Sequence, residues 1–113
     1  MLVLNRFVVD EGAAERFTQR AHTALAALAA RPGYRRGELT RALDDPRRWC
    51  LVTEWESVGT YRRALGDFTV RVEATPLLAE SLDEPSAYES LATAEPGGEV
   101  SVSASDRARQ PRR

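Results

Sequence analysis

Lysine is absent from the chain, and all 16 of its basic residues are arginine. A GC-rich coding bias explains that uniformity better than selection for phosphate binding, although a guanidinium is the better partner for planar anions. Basic and acidic residues nearly cancel, and the net charge of −1 excludes bulk electrostatic capture of nucleic acid or of a membrane surface. Cysteine occurs once, at Cys50, which excludes an internal disulfide and fits a reducing cytoplasm. Histidine also occurs once, at His22, with no second ligand at metal-binding spacing, so it reads as a helix-flank residue and no metal is expected. No apolar run is long enough for a signal peptide or a membrane span, because Met1–Leu4 gives way at once to Asn5 and Arg6; residence in the cytoplasm is expected. With no GxGxxG and no Cys–His pair, no bound cofactor is expected either.

What is present is an ordinary globular composition, 42% hydrophobic and 29% charged over 113 residues, enough for one domain. The organising stretch is Arg47–Ser57, which holds both tryptophans and the cysteine. The two-residue period of a strand puts Trp49, Leu51, Thr53 and Trp55 on one face and Cys50, Val52, Glu54 and Glu56 on the other. A strand apolar on both faces for most of its length needs a cover on each side.

The rest of the chain is placed around it. Leu2–Val9 reads as a first strand, with Asn5 among apolar face-mates and Asp10 as the N-cap candidate of the next helix. Ala14, Phe17, Ala21, Leu25 and Leu28 recur at helical spacing up to the Arg31-Pro32-Gly33 stop. Tyr34–Leu43 reads as a second strand, joined to the third through Asp44-Asp45-Pro46, with Gly37 as a candidate bulge and Arg35, Arg36, Arg47 and Arg48 as a solvated rim. Ser57 caps a short helix containing Val58, Tyr61 and Leu65, which Gly66-Asp67 breaks; a further helical turn or two precedes Pro76, and Pro85–Ala92 reads as the last strand. Residues 1–94 then form the domain. Residues 95–113, with almost nothing to bury, read as a disordered, solubilising tail that carries Arg107, Arg109, Arg112 and Arg113.

Strand, helix, strand, strand, helix, strand is the ferredoxin-like βαββαβ order of an α+β fold, an antiparallel sheet with both helices on one face. The other face carries Leu2, Leu4 and Val8, and its apolar character predicts a face-to-face homodimer.

Four segments carry a resemblance to a known family: the first strand Leu2-Val3-Leu4-Asn5-Arg6-Phe7, the helix end Arg31-Pro32-Gly33-Tyr34, the strand Leu51–Ser57 and the helix Tyr61-Arg62-Arg63-Ala64-Leu65. Over residues 2–91 the chain resembles the antibiotic biosynthesis monooxygenase-like domains of the dimeric α+β barrel superfamily. The resemblance implies that fold, a dimer, and one of two chemistries. The haem-degrading branch has an Asn on strand one, matched by Asn5, but also a Trp on the second helix and a His after it. Here Ala64 and Leu65 stand on that helix, and Asp67–Thr75 contains no His, which disfavours haem degradation. The branch that oxidises polyketides without a prosthetic group has a Trp ending strand three and a Tyr six residues later, and Trp55 and Tyr61 look like that pair. That branch also carries an Asn four residues before the Trp, where this chain has Leu51, so Asn5 is the amide available to take its part.

An oxidation without a cofactor requires a substrate that supplies its own electrons, such as a phenol or anthrone reacting as its anion with dioxygen. The residues expected to serve it are Asn5, Trp55 and Tyr61 as donors to a developing oxyanion, Phe7, Leu25, Leu51 and Leu65 as apolar walls, and Arg71 as a cation favouring the deprotonated substrate. The competing expectation is a non-catalytic dimer that binds a small ligand or stabilises an assembly. A solvent-open pocket containing Asn5 and Tyr61 favours the enzyme, and a filled core there favours the alternative.

Overall fold

Two strands lie side by side at the middle of the molecule. In the computed structural model, which describes residues 1–105, β1 (Leu2–Val8) pairs antiparallel with β3 (Arg48–Trp55) in a register that sets Asn5 opposite Leu51 and Phe7 opposite Trp49. β2 (Tyr34–Arg41) flanks β3, and a short β4 (Ala87–Tyr88) flanks β1, giving a four-stranded sheet of order β2-β3-β1-β4. The period-two pattern of β3 holds along its length. Trp49, Leu51, Thr53 and Trp55 are buried beneath the helices, and Cys50, Val52 and Glu54 are half-buried on the open face.

The Ala-rich helix α1 (Ala14–Ala29) presses Phe17, Ala21, Ala24, Ala27 and Leu28 into the core. A 3-10 turn over Glu11–Ala13 precedes it. That turn corrects the expected cap: the Asp10 carbonyl accepts from the Ala13 N–H at 2.9 Å, but its side chain makes no capping bond, because α1 begins four residues further on. At the other end Gly33 takes φ of +89°, and its carbonyl accepts the Glu56 N–H at 2.8 Å. A Cβ at Gly33 would lie 2.3 Å from the Thr60 Cβ, so only glycine lets this turn seat against α2 (Val58–Leu65). Ser57 and Thr60 close the capping box that starts α2. Asp67 then caps α3 (Phe68–Glu73), and Pro76 opens α4 (Thr75–Leu78).

Strand β2 does slip in register, between Tyr34 and Arg36 rather than at Gly37 itself. Gly37 has another use: a Cβ there would meet the Tyr34 hydroxyl at 2.6 Å, so the missing side chain is the space in which the Tyr34 ring lies. The arginine rim pairs locally, Arg36 with Glu38 and both Arg47 and Arg48 with Asp45.

The last strand is shorter than expected. Only Ala87 and Tyr88 pair with Leu2–Val3, while single backbone bonds from Leu82 to Arg6 (2.7 Å) and from Leu4 to Ser86 (2.7 Å) continue the contact along the edge of β1. Both paired residues are exposed, so little burial drives a longer ladder. The chain then forms a separate hairpin of β5 (Ala92–Thr93) and β6 (Ser101–Val102), with Gly97 at φ of +72° in its turn. Part of the stretch expected to be structureless from residue 95 is therefore ordered by backbone hydrogen bonds and a glycine turn rather than by burial. The remainder of that expectation, residues 106–113 with their four arginines, lies outside the described residues. Among the described residues no helix is long and apolar enough to cross a membrane.

Candidate functional site

The capping box at Ser57 and the turn at Gly33 bring three aromatic rings together. Trp55 sits at the centre, 1% exposed, with Tyr34 edge-on at 5.4 Å (87° between planes) and Tyr61 tilted at 5.4 Å on its other side. The Trp55 indole N–H is donated to the hydroxyl of buried Thr53 at 2.8 Å, so both polar groups are satisfied. Trp55 thus fills the junction of sheet and helix and does not line an opening. It backs Tyr61, and Tyr61 faces out.

In front of Tyr61 lies an open cleft of about 520 Å³, walled by Leu65 of α2 and Gly66 just past its end, Arg71 from α3, and Thr75, Leu78 and Ala79 at α4. Its character is apolar with one cation, and no carboxylate lines it. The Tyr61 and Tyr34 hydroxyls are each pushed above the ordinary phenol pKa by burial, for Tyr34 against a lowering influence of Arg36. Tyr61 therefore stays protonated and is a hydrogen-bond donor; its hydroxyl makes no hydrogen bond among the described residues. Arg71 has no ion-pair partner among them and is exposed at the rim. The arrangement suits a flat apolar ligand whose anionic oxygen is met by a neutral donor and a guanidinium.

The other expected residues divide by location. Leu65 and Arg71 join Tyr61 in the cleft. Leu25 packs one layer behind, close to the Tyr34 hydroxyl over Gly37. Leu51 is fully buried in the core beneath the helices. Asn5 shares the helix-covered face with Val3 and Phe7. Those two and Leu51, its cross-strand partner, are at most 3% exposed, yet Asn5 itself is half-buried. Its amide makes no hydrogen bond among the described residues. The structure does not place Asn5 in the Tyr61 cleft. Phe7 stands apart from that cleft, edge-on to Phe17 at 5.0 Å in a second aromatic cluster that continues to Trp49, and Phe7 and Trp49 border a separate hollow of about 470 Å³. His22 is exposed on α1.

Sequence reasoning passed over two contributors, Tyr34 and Thr53. Tyr34 was legible in part, since it comes directly after the Pro32-Gly33 turn and precedes Gly37 by three residues. Thr53 gave a fainter signal, a hydroxyl two residues before a tryptophan on the same strand face.

Comparison with known proteins now bears on this arrangement. The family profile described as antibiotic biosynthesis monooxygenase matches residues 1–67, more than half of the chain. Among solved structures the chain is similar to SnoaB, a cofactor-independent oxygenase from Streptomyces nogalater, at 30% identity and a TM-score of 0.63, covering 80% of this chain and 94% of that one. A conserved protein from Methanosarcina mazei Go1 shares the fold at 17% identity and a TM-score of 0.63, covering 76% and 84% of the two chains. A protein from Shewanella oneidensis does so at 17% and 0.59, covering 74% and 81%. No curated protein matches the chain.

Proposed function

Because the chain belongs to the antibiotic biosynthesis monooxygenase family, whose ferredoxin-like α+β fold it has, we propose that it oxidises a small aromatic, polyketide-type substrate with dioxygen and without a bound cofactor, in the cytoplasm, with the Tyr61 cleft as its site. The observation that carries this reading is the protonated, unengaged Tyr61 hydroxyl set between an apolar wall and Arg71. A phenol or anthrone held there loses a proton more readily, because donor and cation both favour its anion. The anion passes one electron to dioxygen, and the resulting substrate radical and superoxide combine in a new C–O bond. In the peroxide so formed the O–O bond breaks as the carbon loses its remaining hydrogen, giving the quinone carbonyl and water. All electrons come from the substrate. Asn5, half-buried and without a hydrogen-bond partner among the described residues, is a second candidate donor, outside the cleft.

The test is oxygen uptake with a panel of anthrones and phenols and no added cofactor. Tyr61→Phe is expected to lower turnover about a hundredfold, the effect of removing one donor to a developing oxyanion, and Asn5→Ala to lower it further than any loss of stability explains. Absence of uptake across the panel, with binding retained, would instead support the non-catalytic ligand-binding reading, which the filled position of Trp55 favours.

The same reading includes a homodimer. The sheet's open face presents half-buried Leu2, Leu4, Cys50 and Val52, with Val8 and Tyr88 46% and 40% exposed. A second copy packed on that face, related by a two-fold axis, covers it.

A further inference from the structure

One ion pair joins the end of α1 to the break between α2 and α3, and no step of the oxidation touches it. The Arg31 guanidinium lies 3.2 Å from the Asp67 carboxylate, whose side chain is 23% exposed, the least of any ion-paired carboxylate among the described residues. Asp67 makes three contacts at once. Its Oδ1 meets Arg31, its Oδ2 accepts the Val70 N–H at 3.2 Å as the cap of α3, and its backbone carbonyl accepts the Arg71 N–H at 2.9 Å. Helix α3 has six residues and buries one side chain, Val70. So short a helix does not hold its own place, and the direction in which it carries Arg71 is set at its cap. Arg71 is exposed, and no ion pair among the described residues fixes its guanidinium.

The other end of the pair is equally committed. The Arg31 carbonyl accepts the Tyr34 N–H at 3.3 Å, in the turn that sets Tyr34 against Trp55, which in turn backs Tyr61. The Arg31 Nε is buried with no partner among the described residues. Stranding a buried donor costs free energy, so this side chain is held toward Asp67 at the expense of a hydrogen bond it would make in water.

We infer that Arg31 is a positioning residue for the cleft: through Asp67 it fixes the start of α3, and with it the approach of the Arg71 guanidinium to an anionic oxygen held at Tyr61. The inference rests on the Tyr61 cleft as the binding site and adds the residue that brings its cation to bear.

A hydroxyanthraquinone, alizarin, tests it without turnover, because its phenol and its anion differ in visible absorbance. The ratio of bound anion to bound phenol, read by titrating the saturated complex, measures how well donor and cation favour the charged form. Arg31→Met and Asp67→Asn are each expected to lower that ratio about tenfold, as for groups coupled in one ion-pair network, and the double variant to lose no more than either alone. Asparagine at position 67 keeps the cap, so a loss there belongs to the ion pair and not to α3. Arg31→Lys keeps the charge without stranding Nε and should restore the parent ratio. In an Arg71→Met background Arg31→Met should have no further effect, an outcome that a merely structural role would not produce. Should Arg31→Met fail to fold, Asp67→Asn alone and in the Arg71→Met background gives the same comparison. A ratio unchanged by Arg31→Met and Asp67→Asn but lowered by Arg71→Met would overturn the link while leaving the cleft in place. A parent chain that does not bind the probe, or binds it without favouring its anion, would overturn the cleft and the inference together.

Discussion

Strand β3 carries a tryptophan near each end, both on the helix-covered face and six residues apart, and their surroundings differ. Trp49 is packed edge-on against Phe17, itself edge-on to Phe7, with the Arg41 guanidinium 5.0 Å above its ring. Trp55 lies between two phenols. The Trp49 N–H is buried with no partner among the described residues, whereas that of Trp55 is donated to Thr53. One end has hydrocarbon rings around a tryptophan, packed as core where it also borders a hollow beside Arg6 and Cys50. The other end has hydroxyls held at the edge of a packed cluster, one of them facing an open cleft. The tryptophans themselves do not distinguish a site from a core; the oxygen atoms carried by their neighbours do.

Removing each cluster's anchor should break that comparison most plainly. Trp55→Ala and Phe7→Ala are both large-to-small changes in a packed interior, and each is expected to cost about 3–5 kcal/mol of stability by urea unfolding. Their effects on turnover should separate, measured well below either midpoint on the fraction that remains folded. Loss of Trp55 lets Tyr61 fall back into the vacated space and abolishes oxygen uptake, while loss of Phe7 leaves uptake near the parent rate. Equal losses of turnover would mean that the Phe7 cluster also belongs to the site.

A smaller effect sharpens the point at the Tyr34–Trp55–Tyr61 end alone. Gly33→Ala puts a side chain on a backbone at φ of +89° and into the Thr60 Cβ. About 1–3 kcal/mol of strain is expected from the backbone alone, read as a lowered melting temperature. Because this turn seats β2 on α2, the near-ultraviolet circular dichroism of the Tyr34–Trp55–Tyr61 cluster should change as well. A stability loss with an unchanged aromatic spectrum would show that the turn does not position the rings.

Most of this arrangement could be read from the residues, and the reasons for the rest are local. The alternation of β3, the α1 stripe, the Pro32-Gly33 stop and the Ser57 cap each act within a few residues, so they give the element order and the sheet. Tyr61, Leu65 and Arg71 converge because α2 and α3 are short and joined by a single break at Gly66-Asp67. Asn5 was recognisable as a polar residue on an apolar face, but whether the helices cover it depends on how α1 and α3 pack, which no local pattern encodes. Trp55 could be read either as lining a cavity or as filling one, and the Thr53 hydroxyl that accepts its N–H is the contact that strand periodicity alone did not supply. The β5–β6 hairpin was missed because composition reports what can be buried, and this arm is held by backbone bonds with its valines in solvent.

The mildest change bears on the other end of β3. Trp49→Phe removes an indole N–H that has no partner, so the cost of burying an unsatisfied donor, about 1–3 kcal/mol, is relieved while some packing volume is lost. The two contributions oppose each other, and the net change in unfolding free energy is expected to stay within about 1 kcal/mol. Trp55→Phe loses a comparable volume but leaves the Thr53 hydroxyl without its donor, so both contributions act against stability. The same substitution on the same strand face should therefore be nearly silent at position 49 and clearly destabilising at position 55. Equal losses at both would show that ring volume alone, and not the hydroxyl beside Trp55, separates the two ends of the strand.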